Sequence, residues 1–384
     1  MKKIKIVIGA NYGDESKGLV TRHFAKQLKG NHNTIIVFHN GSAQRGHTVD
    51  YNPNFRHVYH HFGCGTGDGI PTYYANTFWL HPMEFYREYN ELLSLNIIPA
   101  TWCDPNARIV TPFDMLIDHA TEAYITWEHQ APEHGSCGYG TWCATDRETM
   151  ANSVLRINQL INSNFETYEY LMKDVWNACL AILTSRNVDL DKIPEYKQYF
   201  TPEAYQRTLE HFKNDLKFFL ARTGFIEFNK LYNLFDNLIF EGAQGLGLDK
   251  DCGKEWHTTS STGLTNPYNM LKDKEDFSAE VCYVSRAYNT RHGIGDLEEE
   301  TNKSSINKDM EDKTNIHNDF QGSLRYGYID NTEREKRILK DYSLVEKDNR
   351  FFRTNALTHC NEFPEVDFKL YEYASFNPYT VLKR

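Results

Sequence analysis

The feature that most constrains this chain stands at its start, where a hydrophobic run, a glycine-containing turn and an amphipathic segment follow without a break. Lys2 to Gly9 (KKIKIVIG) reads as a buried strand, and Lys17 to Leu28 (KGLVTRHFAKQL) places apolar residues at helical spacing. The stretch GANYGDES between them is a strand-to-helix turn, which points its free N–H groups at whatever binds there. A second strand, Thr34 to His39 (TIIVFH), runs into the loop NGSAQRGHT. Two further strand-to-loop transitions follow, NLIFEGAQGLGLD (237–249) and EVCYVSRAYNTRHGIGD (280–296). All four loops leave the carboxyl ends of hydrophobic strands, where open α/β sheets place their ligands. The pattern predicts an α/β fold with a large, mostly parallel central sheet, helices on both faces and a nucleotide site resembling a phosphate-binding loop.

The stretch from about 83 to 234 is mostly helical in pattern (HPMEFYREYNELLSL, NSVLRINQLINSNFETYEYLMKDVWNACLAIL) and reads as an inserted helical subdomain. Residues 298–323 are polar and bounded by loop signals, which predicts a long loop or mobile lid. With no internal repeat, one domain over 1–384 accommodates these parts. The net charge of −10 offers no footprint for gripping DNA or RNA. No apolar run is long enough to span a membrane and no secretory pattern opens the chain, so a cytoplasmic setting is expected. The eight cysteines include no CxxC pair, which leaves reduced thiols rather than a metal knuckle.

In GANYGDESKG, Gly9, Gly13 and Gly18 permit tight backbone geometry, and Lys17 opens a helix whose dipole favours an anion. The acids Asp14 and Glu15 conflict with a plain phosphate site, because a bare carboxylate beside phosphate repels it unless it holds a metal or moves a proton. An ordinary turn before an exposed helix start is the rival for this loop alone. The second loop offers His47, a side chain able to act as acid or base near neutral pH, after Gly46, whose carbonyl can approach a cation. Taken singly, His47 reads as a hydrogen-bonded structural histidine, and it is the pairing with the first loop that favours chemistry. The third loop combines the amide of Gln244 with hydroxyls at 258–261, groups that donate to phosphate or purine edges without fixed charge. Arg291 and Arg325 suit bidentate grip of a carboxylate or phosphate, and equally surface ion pairs.

Taken in order, GDESKG, GHT, FEGAQG with its following TTSS, TRHGIG and LRYGYID resemble the adenylosuccinate synthetase family over nearly the whole chain. That resemblance implies a ligase that couples a purine monophosphate to L-aspartate after a nucleoside triphosphate has phosphorylated the purine 6-oxygen. By motif position it implies Asp14 as the base that removes the N1 proton and as a Mg2+ ligand with the Gly46 carbonyl. His47 would assist transfer of the γ-phosphoryl group. Lys17, Gly18 and Thr48 would hold triphosphate oxygens, Gly13, Glu15 and Ser16 would belong to the nucleotide-binding loop, Gln244 and Thr259 would bind the monophosphate, and Arg291 and Arg325 the aspartate, Arg325 also reaching the triphosphate. A homodimer is implied as well, with Arg147 as the candidate for a contact across it.

The departures from the family pattern are specific. The family loop reads GDEGKGK, whereas here Ser16 replaces the inner glycine, which supplies an acceptor for an exocyclic amine that hypoxanthine lacks. The guanine-reading TKxD becomes Thr358, His359, Cys360, Asn361, and an Asn offers the donor and acceptor that suit adenine. The late SxGP becomes Ser375, Phe376, Asn377, Pro378. These changes resemble a phage-type branch that acts on dGMP with ATP or dATP and makes N6-succino-2-amino-2′-deoxyadenylate. A standard enzyme using IMP and GTP, and a catalytically inactive nucleotide-binding module, are the alternatives.

Overall fold

The computed structural model describes all residues except 31–32, 130–135, 253, 255–256 and 311–321. Ten strands form the central sheet: β1 (Lys2–Gly9), β2 (Thr34–Phe38), β3 (Thr72–Tyr74), β4 (Thr101–Cys103), β5 (Thr223–Phe225), β6 (Asn237–Gly245), β7 (Phe277–Arg286), β8 (Phe351–Thr358), β9 (Tyr373–Asn377) and β10 (Thr380–Lys383). Their spatial order is β10-β9-β8-β7-β1-β6-β2-β3-β4-β5. Neighbours are parallel throughout except β9 and β10, which form a closing hairpin.

Central strands of such a sheet are covered on both faces, and the alternation along β1 shows it. Val7 packs with Phe24, Leu28 and the helical region on one side, while Ile4, Ile6 and Ile8 pack with Leu231, Leu264 and Ile338 on the other. The helix α1 (Lys17–Leu28) has the bounds its apolar spacing predicts, and buries Leu19, Val20, Phe24, Ala25 and Leu28. Between residues 83 and 234 the helices dominate, but β4 and β5 fall inside this stretch and extend the main sheet. Phe113, Met172 and Leu209 of that region share one apolar cluster with Ile36 and Val284 of the sheet, so the helical part has no core of its own.

Two expectations need correction. Arg147 does not reach outward: it is 1% exposed, donates from Nε to Asp114 at 2.9 Å, and caps the carbonyls of Ser153 and Ile109. A guanidinium so enclosed by an ion pair and two carbonyls serves the helical region's interior. The segment read as a loop from 298 to 323 is built in its first part. Glu300–Thr301 pairs with Arg325–Gly327, Lys303–Ile306 forms a helical turn, and Ile306 and Met310 pack on Ala287 and Tyr288. Its remainder, 311–321, lies outside the described residues. Among the described residues no helix is long and apolar enough to cross a membrane.

Candidate active site

β1, β6, β2 and β7 are neighbours in the sheet, so the loops at their carboxyl ends converge. Direct bonds lock them together. The Asn40 amide donates to the Ala243 carbonyl at 3.0 Å and accepts from its N–H at 2.9 Å, which fixes the second loop on the third. The Gly247 N–H reaches the Asn11 carbonyl at 2.7 Å, which fixes the third on the first. A Cβ on Gly245 would lie 2.4 Å from that same carbonyl, so the close approach requires glycine there.

The first loop turns through left-handed conformations at Gly13 (φ 109°), Asp14 (φ 59°) and Ser16 (φ 61°), and Ser16 occupies the N-cap position of α1 without a side-chain capping bond. The two adjacent acids have opposite fates. Glu15 is 1% exposed; its carboxylate accepts from the N–H groups of Asn11 (3.1 Å) and Gly13 (3.0 Å) and pairs with Lys17 Nζ at 2.7 Å. Glu15 therefore braces the loop from within. Asp14 stays 23% exposed, with His292 Nε2 3.4 Å from its Oδ2.

His47 lies under the first turn of α1: a Cβ on Gly18 would sit 3.2 Å from the His47 Cβ and 3.0 Å from the Cys64 sulfur. Its Nδ1 is 2.5 Å from Oε1 of Glu241, a fully buried carboxylate on β6. Burial lowers the His47 pKa, with Arg45 and Lys17 adding to the fall, and the Glu241 hydrogen bond and charge only partly offset it. Burial pushes the Glu241 carboxyl up, but His47, Arg45 and the Cys64 N–H outweigh that and hold it below its ordinary value. The close contact requires a proton between Nδ1 and the carboxylate, and burial favours the uncharged form of the imidazole.

The other predicted residues divide. Gln244, at φ 61°, keeps its Oε1 buried without a protein partner among the described residues, as do Asn11 Nδ2, Ser42 Oγ and Gln44 Oε1 on the same loops. Such a concentration of unpaired polar atoms marks where a polar ligand would be received. Gly46 is exposed, Thr48 half-buried and Thr259 exposed. Thr358 donates to the Glu15 carbonyl at 3.1 Å and the Cys360 N–H to Ser375 at 3.0 Å, so the segment ending in Asn361 is tied to the first loop. Asn377 is committed to the β9–β10 turn, accepting from the N–H groups of Tyr379 and Thr380 at 2.9 Å each, and Ser375 Oγ bonds its carbonyl. That local capping occupies the Asn377 Oδ1 within the turn. Arg325 pairs with Glu300 and donates to the Gly293 and Gly295 carbonyls. Arg291 is buried, donates to the Asp296 carbonyl at 2.7 Å, and lies 5.2 Å from the Tyr12 ring centre.

Sequence reading missed a cationic cluster about Tyr12. Arg337 and Lys254 lie 5.3 and 5.4 Å from its ring centre, and both pair with Glu298, which also accepts from the Tyr12 hydroxyl. Glu241 and Cys64 were missed as well, being an acid inside an apolar strand and one of several scattered cysteines.

The family model described as adenylosuccinate synthetase matches residues 6–338. The chain is similar to the adenylosuccinate synthetases of Thermoplasma volcanium (25% identical over 309 residues, 79% of this chain and 65% of the relative) and of Synechocystis (26% over 300 residues, 76% and 61%). It thus spans less than two thirds of the length of these curated relatives. Among solved structures it resembles the fully ligated adenylosuccinate synthetase of Plasmodium falciparum, with a TM-score of 0.69 and 19% identity over 93% of this chain and 77% of that one. It also resembles the cyanophage S-2L succinoaminodeoxyadenylate synthetase bound to dGMP and dATP as an energy donor, with a TM-score of 0.63 and 14% identity over 100% and 95%. At these identities the two structures attest the fold.

Proposed function

This chain belongs to the adenylosuccinate synthetase family, and from that premise we propose that it is a ligase joining L-aspartate to dGMP at the expense of ATP or dATP, giving N6-succino-2-amino-2′-deoxyadenylate. The observation that carries the substrate choice is Ser16. A non-glycine residue is held at φ 61° where the family loop has glycine, and its hydroxyl is not used to cap α1. Left-handed backbone costs an L-residue roughly 1–2 kcal/mol, so the side chain is retained against a local penalty. A hydroxyl beside the purine accepts from a 2-amino group, which dGMP has and IMP lacks. The cyanophage synthetase that shares this fold is described as bound to dGMP and dATP, the monophosphate and one of the donors proposed here. Asn361, on the segment tied to the first loop, supports adenine as the donor base.

In this reading Asp14 takes the N1 proton of the purine, which leaves the 6-oxygen as a competent nucleophile towards the γ-phosphorus. His47, anchored through Nδ1, offers Nε2 to the transferring group. Lys17, whose ammonium has three donors and spends one on Glu15, has two left for phosphate oxygens. The aspartate amine then displaces the 6-phosphate, with Arg291 and Arg325 assigned to its carboxylates by motif position; Arg325 would first have to exchange its Glu300 partner for them. The donor set fits Mg2+: Asp14 keeps a partly exposed carboxylate while Glu15 absorbs the loop N–H groups, and the exposed Gly46 offers a backbone carbonyl as a second hard oxygen. Held by those oxygens, Mg2+ would neutralise charge on the triphosphate. The enzyme acts as a homodimer in the cytoplasm, whose cross-subunit contact comes from a residue other than Arg147.

The test is phosphate release with L-aspartate across dGMP, GMP and IMP paired with ATP, dATP and GTP. Turnover is expected with dGMP and an adenine donor. Preference for IMP with GTP overturns the branch, and no turnover with any pair, with Asp14→Ala binding nucleotides as the unmodified protein does, identifies an inactive nucleotide-binding module.

A further inference from the structure

We propose that Glu241 and Cys64 act jointly as positioning residues that fix the tautomer and direction of His47; the proposal rests on the reading of His47 as a participant in phosphoryl transfer. Glu241 Oε1 lies 2.5 Å from His47 Nδ1 and accepts from the Cys64 thiol at 3.0 Å, while Oε2 accepts from the Cys64 N–H at 3.0 Å. One carboxylate is thus held at both oxygens by a single residue, and its remaining strong contact is the imidazole. Glu241 and Cys64 are wholly buried and His47 nearly so. In such a dry environment a carboxylate stays in place only while its lone pairs are satisfied, and the two Cys64 donors supply that.

The consequence for His47 is directional. The two nitrogens of an imidazole face opposite sides of the ring, so committing Nδ1–H to Glu241 leaves Nε2 as the atom presented away from the core. The trio lies beside the start of α1, where a Cβ on Gly18 would crowd the Cys64 sulfur at 3.0 Å and the His47 Cβ at 3.2 Å. These three residues also form a cluster whose ligand atoms fall within 4.8 Å of one another, which raises a soft metal site as a rival. The 2.5 Å His47–Glu241 contact opposes it, since two ligands each about 2.0 Å from a tetrahedral ion stand roughly 3.3 Å apart.

The decisive experiment reads the tautomer directly, by 15N NMR of the full-length protein labelled at histidine, with His47→Asn used for assignment. The expected signature is a protonated Nδ1 and an unprotonated Nε2 on His47; an Nε2–H tautomer overturns the proposal. Glu241→Gln should redistribute the tautomers and lower kcat by about a hundredfold or more while the KM for the monophosphate holds. Cys64→Ala should lower kcat by about tenfold at unchanged KM, and Cys64→Ser, which keeps a donor, should restore most of that loss. Equal rates for the Ala and Ser variants remove Cys64 from the proposal. A redistributed tautomer in Glu241→Gln with undiminished kcat upholds the positioning geometry and refutes the part assigned to His47 in the reaction. Stoichiometric Zn2+ uptake that shifts the His47 resonances, and is lost in Cys64→Ala, establishes the metal site instead.

Discussion

Restoring glycine at position 16 should make the protein more stable and less selective at once. Ser16 sits at φ 61° without a capping bond, so Ser16→Gly relieves a left-handed penalty of roughly 1–2 kcal/mol. Part of that gain is returned through the greater freedom of glycine in the unfolded chain, which leaves about 1 kcal/mol. At about 2 cal/mol/K per residue, the unfolding entropy of a chain this long converts that gain to only about 1 °C in Tm. Urea titration, in which the midpoint moves at constant m, is therefore the better stability assay. The hydroxyl's hydrogen bond to a 2-amino group is worth roughly 1 kcal/mol net, so the ratio of kcat/KM for dGMP over IMP should fall about fivefold. Steady-state phosphate release with each monophosphate at saturating ATP and aspartate measures that ratio. If Ser16→Gly keeps the unmodified preference, Ser16 does not read the purine; if it also loses stability, the left-handed strain argument is wrong.

Three other perturbations follow from particular contacts. Gly245→Ala places a methyl group against the Asn11 carbonyl, a backbone atom that no rotamer change can move, so the first and third loops must separate. Turnover should drop about a hundredfold while circular dichroism stays unchanged, and unimpaired turnover would show that the loop contact is not needed. Arg147→Met strands the buried Asp114 carboxylate and should cost about 3–5 kcal/mol in urea unfolding, with Asp114→Asn on top recovering part of it; a loss below about 1 kcal/mol would mean that the pair is dispensable. Acid should weaken the fold below about pH 6.5. Burial holds His39 down at about 3 and His81 at about 4, and lowers His61 well below its ordinary value, so the unfolded chain takes up these protons first and stability falls as pH drops towards those values. Burial also raises Asp118 to about 7 and Asp341 to about 6, which works the other way. His23, His47 and His119 are lowered as well and Asp215 is raised, so lowered histidines outnumber raised carboxyls and the net effect is a loss of stability on acidification; equal stability at pH 7 and pH 5 would contradict it.

The parts of the fold that were legible are those in which local sequence and burial coincide. β1 alternates between two covered faces and α1 carries a full apolar stripe, so both have the bounds their spacing predicts. β4 and β5 are three residues each, too short to express a period of two, and they exist because parallel pairing with β3 and with each other extends the sheet. Their neighbours are helical, so the surrounding pattern conceals them. The same holds for Glu300–Thr301, a strand made by Arg325–Gly327 across a stretch whose composition reads as loop.

Within the site, the division between what could and could not be read follows the reach of each interaction. Asp14 and Glu15 are chemically alike and adjacent, and composition cannot tell them apart. The turn separates them, because φ 59° at Asp14 accompanies a carboxylate that is partly exposed while the next one folds back onto Asn11 and Gly13. A loop built this way carries its own anion, Glu15, on N–H groups that would otherwise be open to phosphate, and this internal pairing leaves Asp14 as the carboxylate available for chemistry. Glu241 was hidden for the opposite reason: its partner His47 is 194 residues distant, and an acid inside NLIFEGAQG looks like an interruption of a strand. Its burial beside Arg45, His47 and Cys64 supplies the compensation that an ionised carboxylate requires, so the acid that appears misplaced in the strand is the one whose environment is most fully specified.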